Sequence, residues 1–542
     1  MWIGGSSREA LKPLSARAIV DGVNNVWVSG VGISRVRVFP RKDYLLLVVG
    51  FCGACDDEVA GLSSVPDDIA WRWSGSYIVV RLRGTETTVW TDIGWACPVY
   101  TTTVEGTIYW STSARLLSGL HGGQVNLEHV VDHLTGRAVV DRSWFSRVNR
   151  LLPGRKVTIQ GKTVRSRAVW RPRIADGCHA SRLRRELERA VECRADGARL
   201  TTDLSGGLDS STLALLGAGS CVGVTMHPAG VAVGGDLDYA RDVGQLVEQE
   251  WVPVTRAHLP YRYLDLVPVT DEPAPSTVTY GFFAYQMLYL RTVLRSRRHL
   301  TGDGGDALLI TPKSQVGELL RFHPVRALRE AARWSSVRAR PLRDAFASQR
   351  QKRTTPPAWL RPQTPSNGLP PPRLFATSSP TRRAMIDAIT RTGRTARADV
   401  EIAARFAVDL HNPYCDSRVI DAYHATPIPD LPGPSSYKAL LKASVTDLLP
   451  DSLRARTTKG DSTPSHFGGL RAAAHELAQM MDGHLHALGL VDLGVFRRDL
   501  AYASAGSGSH LHSVETAIAT EVWFRAHHRD PLATWCESGG AS

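Results

Sequence analysis

Residues 200–216 read LTTDLSGGLDSSTLALL. Leu200–Leu204 is a short apolar and β-branched run, which predicts a strand. Ser205-Gly-Gly-Leu-Asp-Ser-Ser211 follows it, and Ser210–Leu216 opens a helix. Glycines between a strand and a helix start let the backbone approach a ligand closely. The exposed N–H groups of the helix start and the serine hydroxyls suit a polyanion. No Gly-Lys-[Ser/Thr] follows, so the loop is not a Walker A motif. Asp209 would repel phosphates unless a cation lay between. Mg²⁺ is the natural one, since it takes one or two carboxylates plus phosphate oxygens.

The surroundings predict an α/β domain. Ser181–Cys193 reads as a charged helix, Cys221–Thr225 as a strand, Ala240–Glu250 as a helix and Val252–Val254 as a strand. Strands alternating with helices imply a parallel, doubly wound sheet. A second glycine-rich turn, Thr301-Gly-Asp-Gly-Gly-Asp306, follows a strand-like Arg298–Leu300. Ligands bind at strand C-termini in such sheets. Asp306 is placed to share Mg²⁺ with Asp209, and Asp303 to face the reacting groups. Each turn alone also reads as a plain connection, the first a Gly/Ser link and the second an Asx turn.

The first ~170 residues look different. Short β-branched or aromatic runs recur at Val26–Val28, Val36–Phe39, Tyr44–Val49, Tyr77–Leu82 and Thr87–Trp90, with a helix at Leu127–Leu134 and a strand at Lys156–Gln160. Arg165–Arg173 reads as a linker, giving domains at 1–172 and 173–542. Further on, Arg321–Arg353 holds ten basic and two acidic residues, and Pro356–Pro380 holds eight prolines. Together they read as a basic and Pro-rich insertion over about 321–382. Helices resume at Arg383–Ile389 and Val400–Ala407.

The 542 residues carry 65 Lys+Arg against 52 Asp+Glu, a net charge of +13. Such a balance raises nucleic acid and acidic partners as candidates. Eight of the thirteen charges lie in Arg321–Arg353, which argues against a whole-surface footprint. Eight scattered cysteines are too few for a disulfide scaffold. The lone CxxC, Cys52–Cys55, lacks a second ligand pair for zinc. No apolar stretch approaches the ~20 residues of a membrane span, and the start has no signal-peptide core. The chain therefore reads as cytoplasmic, with no membrane partner.

SGGLDSS followed by TGDGGDALL resembles the asparagine synthetase family, with its pyrophosphatase-type (PP-loop) synthetase domain. Asp271-Glu-Pro273, His411-Asn-Pro-Tyr-Cys-Asp416 (with His where the family has Arg), Lys438-Ala-Leu-Leu-Lys442 and Arg456-Thr-Thr-Lys459-Gly460 match further segments in order. Asp92-x-Gly94, Pro98-x-Tyr100 and Leu152-Pro-Gly154 resemble its glutaminase-type domain. The resemblance implies an N-terminal α+β domain of the Ntn αββα type, then an α/β synthetase domain with a parallel sheet. It implies ATP and Mg²⁺, with nucleotide or pyrophosphate contacts from Ser205, Gly206, Gly207, Leu208, Asp209, Ser210, Ser211, Val224, Thr301, Gly302 and Lys438. Asp209 and Asp306 would hold the metal. Lys459 and Asp303 would be catalytic. Lys442 occupies the place of a family Arg, and Asp236 and Asp238 read equally as helix caps or substrate contacts.

Glutamine-hydrolysing members carry Cys after the initiator Met, whereas this sequence begins Met1-Trp2. Ammonia from glutamine is thus not expected, and the N-terminal domain reads as a scaffold. An amine supplied by the substrate remains. Family branches without the Cys include β-lactam synthetases and lasso-peptide macrolactam synthetases. β-Lactam synthetases carry Tyr at the position of Asp303, so the second branch matches better. Its substrate would be a precursor peptide whose Asp or Glu side chain is adenylated and then attacked by the peptide's own N-terminal amine. Its partners would be a leader-binding protein and a leader peptidase. The rivals are a ligase for a small metabolite, a PP-loop enzyme modifying nucleic acid, and a non-catalytic ATP-binding scaffold. The second lacks an RNP-like aromatic signature.

Overall fold

The computed structural model describes residues 2–8, 11–19, 25–29, 35–136, 142–195, 199–231, 233–272, 277–346, 356–361, 375, 377–458, 460 and 463–537. Five parallel strands form the sheet that carries both glycine-rich turns. Their order is Gln249–Val254, Cys221–Pro228, Leu200–Asp203, Arg298–Leu300 and Asp409–His411. The chain starts at the central strand, steps outward twice, then returns to the other side. The winding therefore reverses between Leu200–Asp203 and Arg298–Leu300. That reversal opens a crevice at the strand C-termini, where doubly wound sheets bind ligands.

The predicted helix at Ala240–Glu250 is corrected. The helix runs Asp236–Gly244, and Gln249 and Glu250 already lie in the edge strand, paired with Gly223 and Val224. The two helices expected after residue 382 are one, Pro380–Arg405. Its polar middle hid the continuity. Gly393 sits there because a Cβ would overlap the carbonyl oxygen of Gly94.

The N-terminal part is a sandwich of two six-stranded antiparallel sheets. Leu47, Val49, Ile78, Val80, Ile108 and Ile159 meet between them. The alternate residues Leu46, Val48, Tyr77, Val79 and Trp90 face outward, against Leu183, Leu187, Val419 and Ile420. Burial on both faces explains the unbroken apolar run Leu45–Val49. Tyr100, Tyr109, Trp144 and Phe145 pack instead against Val514, Ile518 and Trp523 of the helix Gly508–Arg529. The chain end closes this face: Trp535–Glu537 pairs with Leu11–Pro13, and the Trp535 ring lies 5.7 Å from Trp27 and 5.8 Å from Tyr109.

The reading of Arg165–Arg173 as linker is corrected in its first half. Thr163–Ala168 is an edge strand paired with Arg155–Gln160. Its residues are nearly all exposed, so no alternation marked it, and its arginines guard the edge from further pairing. Residues 169–178 carry no regular element, and the expected boundary at 172 falls among them. The basic segment forms the helix Pro324–Arg338. Its Arg326 does not line a solvated face, because it donates to the carbonyls of Pro429 and Leu431. Most of the Pro-rich stretch lies outside the described residues.

Candidate active site

Gly206 begins the site. Its φ is +79°, and a Cβ there would overlap the Asp236 carbonyl oxygen, so only glycine fits. Ser205 and Ser210 close the loop, their hydroxyls 2.9 Å apart, and Ser210 Oγ also donates to the Gly207 carbonyl. Gly207 starts the helix Leu208–Leu216 without a side-chain cap. The Leu208 and Ser211 side chains are fully buried, so a ligand would meet only their backbone.

The second turn packs onto the first. A Cβ on Gly305 would overlap the Asp209 carboxyl group, and one on Gly302 would come 3.0 Å from the Ser210 nitrogen. The segment at 411–416 braces both turns: Tyr414 Oη donates to the Asp209 carbonyl, and Thr301 Oγ1 to Asn412 Oδ1 at 2.6 Å. Asp416 in turn takes two bonds from the buried Arg194.

Asp209 and Asp306 converge on one buried cation, Lys438. Its Nζ is 2.6 Å from Asp306 Oδ1 and also donates to Asp209 Oδ2. Lys438 holds a left-handed backbone, φ 48°, which is costly for a residue with a side chain. Burial alone would lower its pKa, but the two carboxylates outweigh this and hold it raised. The pair expected to share a metal is thus adjacent, with an ammonium between. The donor set fits Mg²⁺, which needs few protein carboxylates when phosphates supply the rest. Among the described residues no group of three His, Cys, Asp or Glu could cage a metal unaided.

Asp303 is exposed at the same turn, its N–H bonded to Thr301 Oγ1. Asp399, absent from the sequence reading, lies near it on the helix Pro380–Arg405. Burial, and then the charge of Asp303, push the Asp399 carboxyl well above the usual range. The pair favours holding a proton on Asp399, and perturbed carboxyls in a crevice are candidates for proton exchange. Nothing in local sequence marks Asp399, because the helix turn that carries it looks solvated.

Arg456 is the second residue that sequence understated. Its Nη1 donates to the Gly206 carbonyl at 2.7 Å, its Nη2 to Asp236, and its guanidinium stacks 4.3 Å from the Tyr239 ring. Asp236 therefore serves an ion pair, while Asp238, inside the first turn, accepts the Gly234 N–H of the preceding loop; the helix has no side-chain cap. Lys442 donates to the carbonyls of Arg454 and Arg456, so it holds this segment rather than a ligand. Lys459 lies outside the described residues. Val224 is buried in the core, and its carbonyl accepts the Leu204 N–H. The side chain is thus unavailable to an adenine.

The N-terminal strand Trp2–Ser6 carries no thiol. Burial pushes the thiols of Cys52 and Cys97 up to about 11 and about 12. A cavity of about 700 Å³ lies between segment 256–265 and the helices Thr463–Met480 and Gly508–Arg529, away from the two turns. A smaller one, about 490 Å³, sits at the opposite, N-terminal end of the strands, near Arg199 and Cys221.

Two stacked turns at a sheet reversal, with two carboxylates on one lysine, make the ligand-binding crevice of an α/β domain. A model of the asparagine synthase family matches residues 182–525. The chain belongs to the asparagine synthase family, an ATP-dependent amide-forming one. Among solved structures, glutamine phosphoribosylpyrophosphate amidotransferase from B. subtilis is 10% identical. It covers 51% of this chain and 67% of its own, with a TM-score of 0.19. The allosteric regulatory enzyme of purine biosynthesis is 12% identical over 41% of this chain and 48% of its own, TM-score 0.17. At such scores neither likeness bears on function. No curated protein matches the chain.

Proposed function

We propose that the chain is a macrolactam synthetase acting on a ribosomal peptide. The observation that carries the ligase chemistry is the convergence of Asp209 and Asp306 on Lys438 where the two turns meet. A substrate carboxylate attacks the α-phosphorus of ATP, forming an acyl-adenylate and releasing pyrophosphate. The peptide's N-terminal amine then attacks the acyl carbon, and AMP leaves. The ammonium proton passes to the Asp303–Asp399 pair. When bound, Mg²⁺ supplies neutralising charge at the phosphates. Asp209 and Asp306 would hold it, and Lys438 and Lys459 would add fixed positive charge where the oxyanion develops.

The test is to incubate the full chain with ATP, Mg²⁺ and peptides bearing a free amine and one Asp or Glu. AMP, pyrophosphate and a product lighter by one water support the reading. Adenylate transfer to tRNA, or turnover with small acids only, sinks it.

A further inference from the structure

The helix Pro324–Arg338 and the segment before it carry an outward face that the ligase reaction does not use. Phe322, Val325 and Leu328 are 70%, 62% and 52% exposed. Val325, Leu328 and Ala332 recur at helical spacing and line one side. Arg329 and Arg333 flank that stripe, and Arg321, Arg338 and Arg340 stand exposed at its ends. The acid on this helix, Glu330, is buried on the opposite face, against Gly433. Arg333 reaches Glu330 at 3.9 Å, whereas Arg329 has no such ion pair among the described residues, so the outward face is apolar and cationic with acidic contact at its far end. Its inner face is fixed: Arg326 is tied to Pro429 and Leu431, and Gln315 to Ile428 and Leu431.

We propose that this face docks peripherally on an anionic lipid surface. Side chains standing up singly among guanidiniums suit the boundary between headgroups and acyl chains, where apolar groups insert and cations meet lipid phosphates. Neither cavity described above reaches this helix, so the face is an open surface rather than a groove. Nucleic acid would use the arginines but leave Val325 and Leu328 without a role. That no described helix is long and apolar enough to cross a membrane does not bear on surface contact.

The test is flotation of the full chain with vesicles of phosphatidylglycerol and phosphatidylcholine, and with phosphatidylcholine alone. Binding to the anionic vesicles only, weakened by salt, is expected. Arg329→Glu with Arg333→Glu should lower vesicle affinity at least tenfold. Phe322→Ser with Leu328→Ser, which keeps the charge, should lower it several-fold. Circular dichroism and pyrophosphate release should stay at wild-type level in both, since these side chains are exposed and outside the site. No binding to anionic vesicles, or equal binding by both variants, overturns the proposal. So does tight, variant-sensitive binding of a single-stranded oligonucleotide, or of a Glu- and Leu-containing peptide, in place of vesicles.

Discussion

The Lys438 ammonium lies 2.6 Å from Asp306 and bonds Asp209 as well, so one buried cation joins the two glycine-rich turns. Stripping a buried ion pair of one partner costs about 3–5 kcal/mol. Lys438→Met should therefore melt lower and lose pyrophosphate release by two orders of magnitude or more. Adding Asp306→Asn removes the excess negative charge and should restore the melting temperature but not pyrophosphate release. Full recovery of activity in the double variant would reduce Lys438 to a structural brace.

Asp399 tests the second half-reaction. Asp399→Asn should leave ATP–pyrophosphate exchange within about threefold and slow amide formation by about 10²–10⁴. The wild-type amide step should rise with pH as the raised carboxyl loses its proton, and the variant should lose that ascending limb. Equal slowing of both steps would place Asp399 in binding rather than proton transfer.

Asp92 gives a pH signature of stability. Burial raises its carboxyl from 3.8 to about 7, against backbone N–H donors at Cys97 and Ala96. Between those values the folded chain holds a proton that the unfolded chain has released. Stability therefore falls as pH rises from about 4 to about 7, at up to about 1.4 kcal/mol per pH unit. Asp92→Asn should remove this slope and exceed wild type in stability above pH 7. Unfolding in denaturant across pH 4–8 measures it, and parallel slopes would sink the assignment.

Gly393→Ala should destabilise by about 1–3 kcal/mol, since a methyl group would be forced against the Gly94 carbonyl across the two halves. Chemical denaturation read by tryptophan fluorescence would show it. A silent substitution would mean that the helix can retreat without cost.

The strand–turn–helix at 200–216 and the strand before Thr301 were legible because local composition and chemistry coincide there. Asp209 and Asp306 stood out by the chemistry of their turns, and Lys438 only through the family resemblance; the structure brings the three side chains together. Asp399 and Arg456 were not legible, because their roles come from packing across about a hundred and two hundred and fifty residues of sequence. The edge strand Thr163–Ala168 was missed because an exposed strand has no alternation to read. The motif Asp92-x-Gly94 gained a meaning that sequence did not suggest. Gly94 meets the Cys415 carbonyl, where a Cβ would come within 2.7 Å, and the Ile93 N–H donates to Ser417, so the motif is a seam between the halves.

The last strand, Trp535–Glu537, pairs with the second, Leu11–Pro13, and helix Gly508–Arg529 roofs the sandwich that the first residues begin. The ribosome therefore finishes synthesising the lid after everything beneath it. Until some 530 residues have emerged, Trp27, Tyr109 and Trp144 lack their final cover. The N-terminal sandwich thus serves as a mould on which the later part of the chain is completed, and cutting it away would bare Val419, Ile420, Val514 and Ile518, which it now covers.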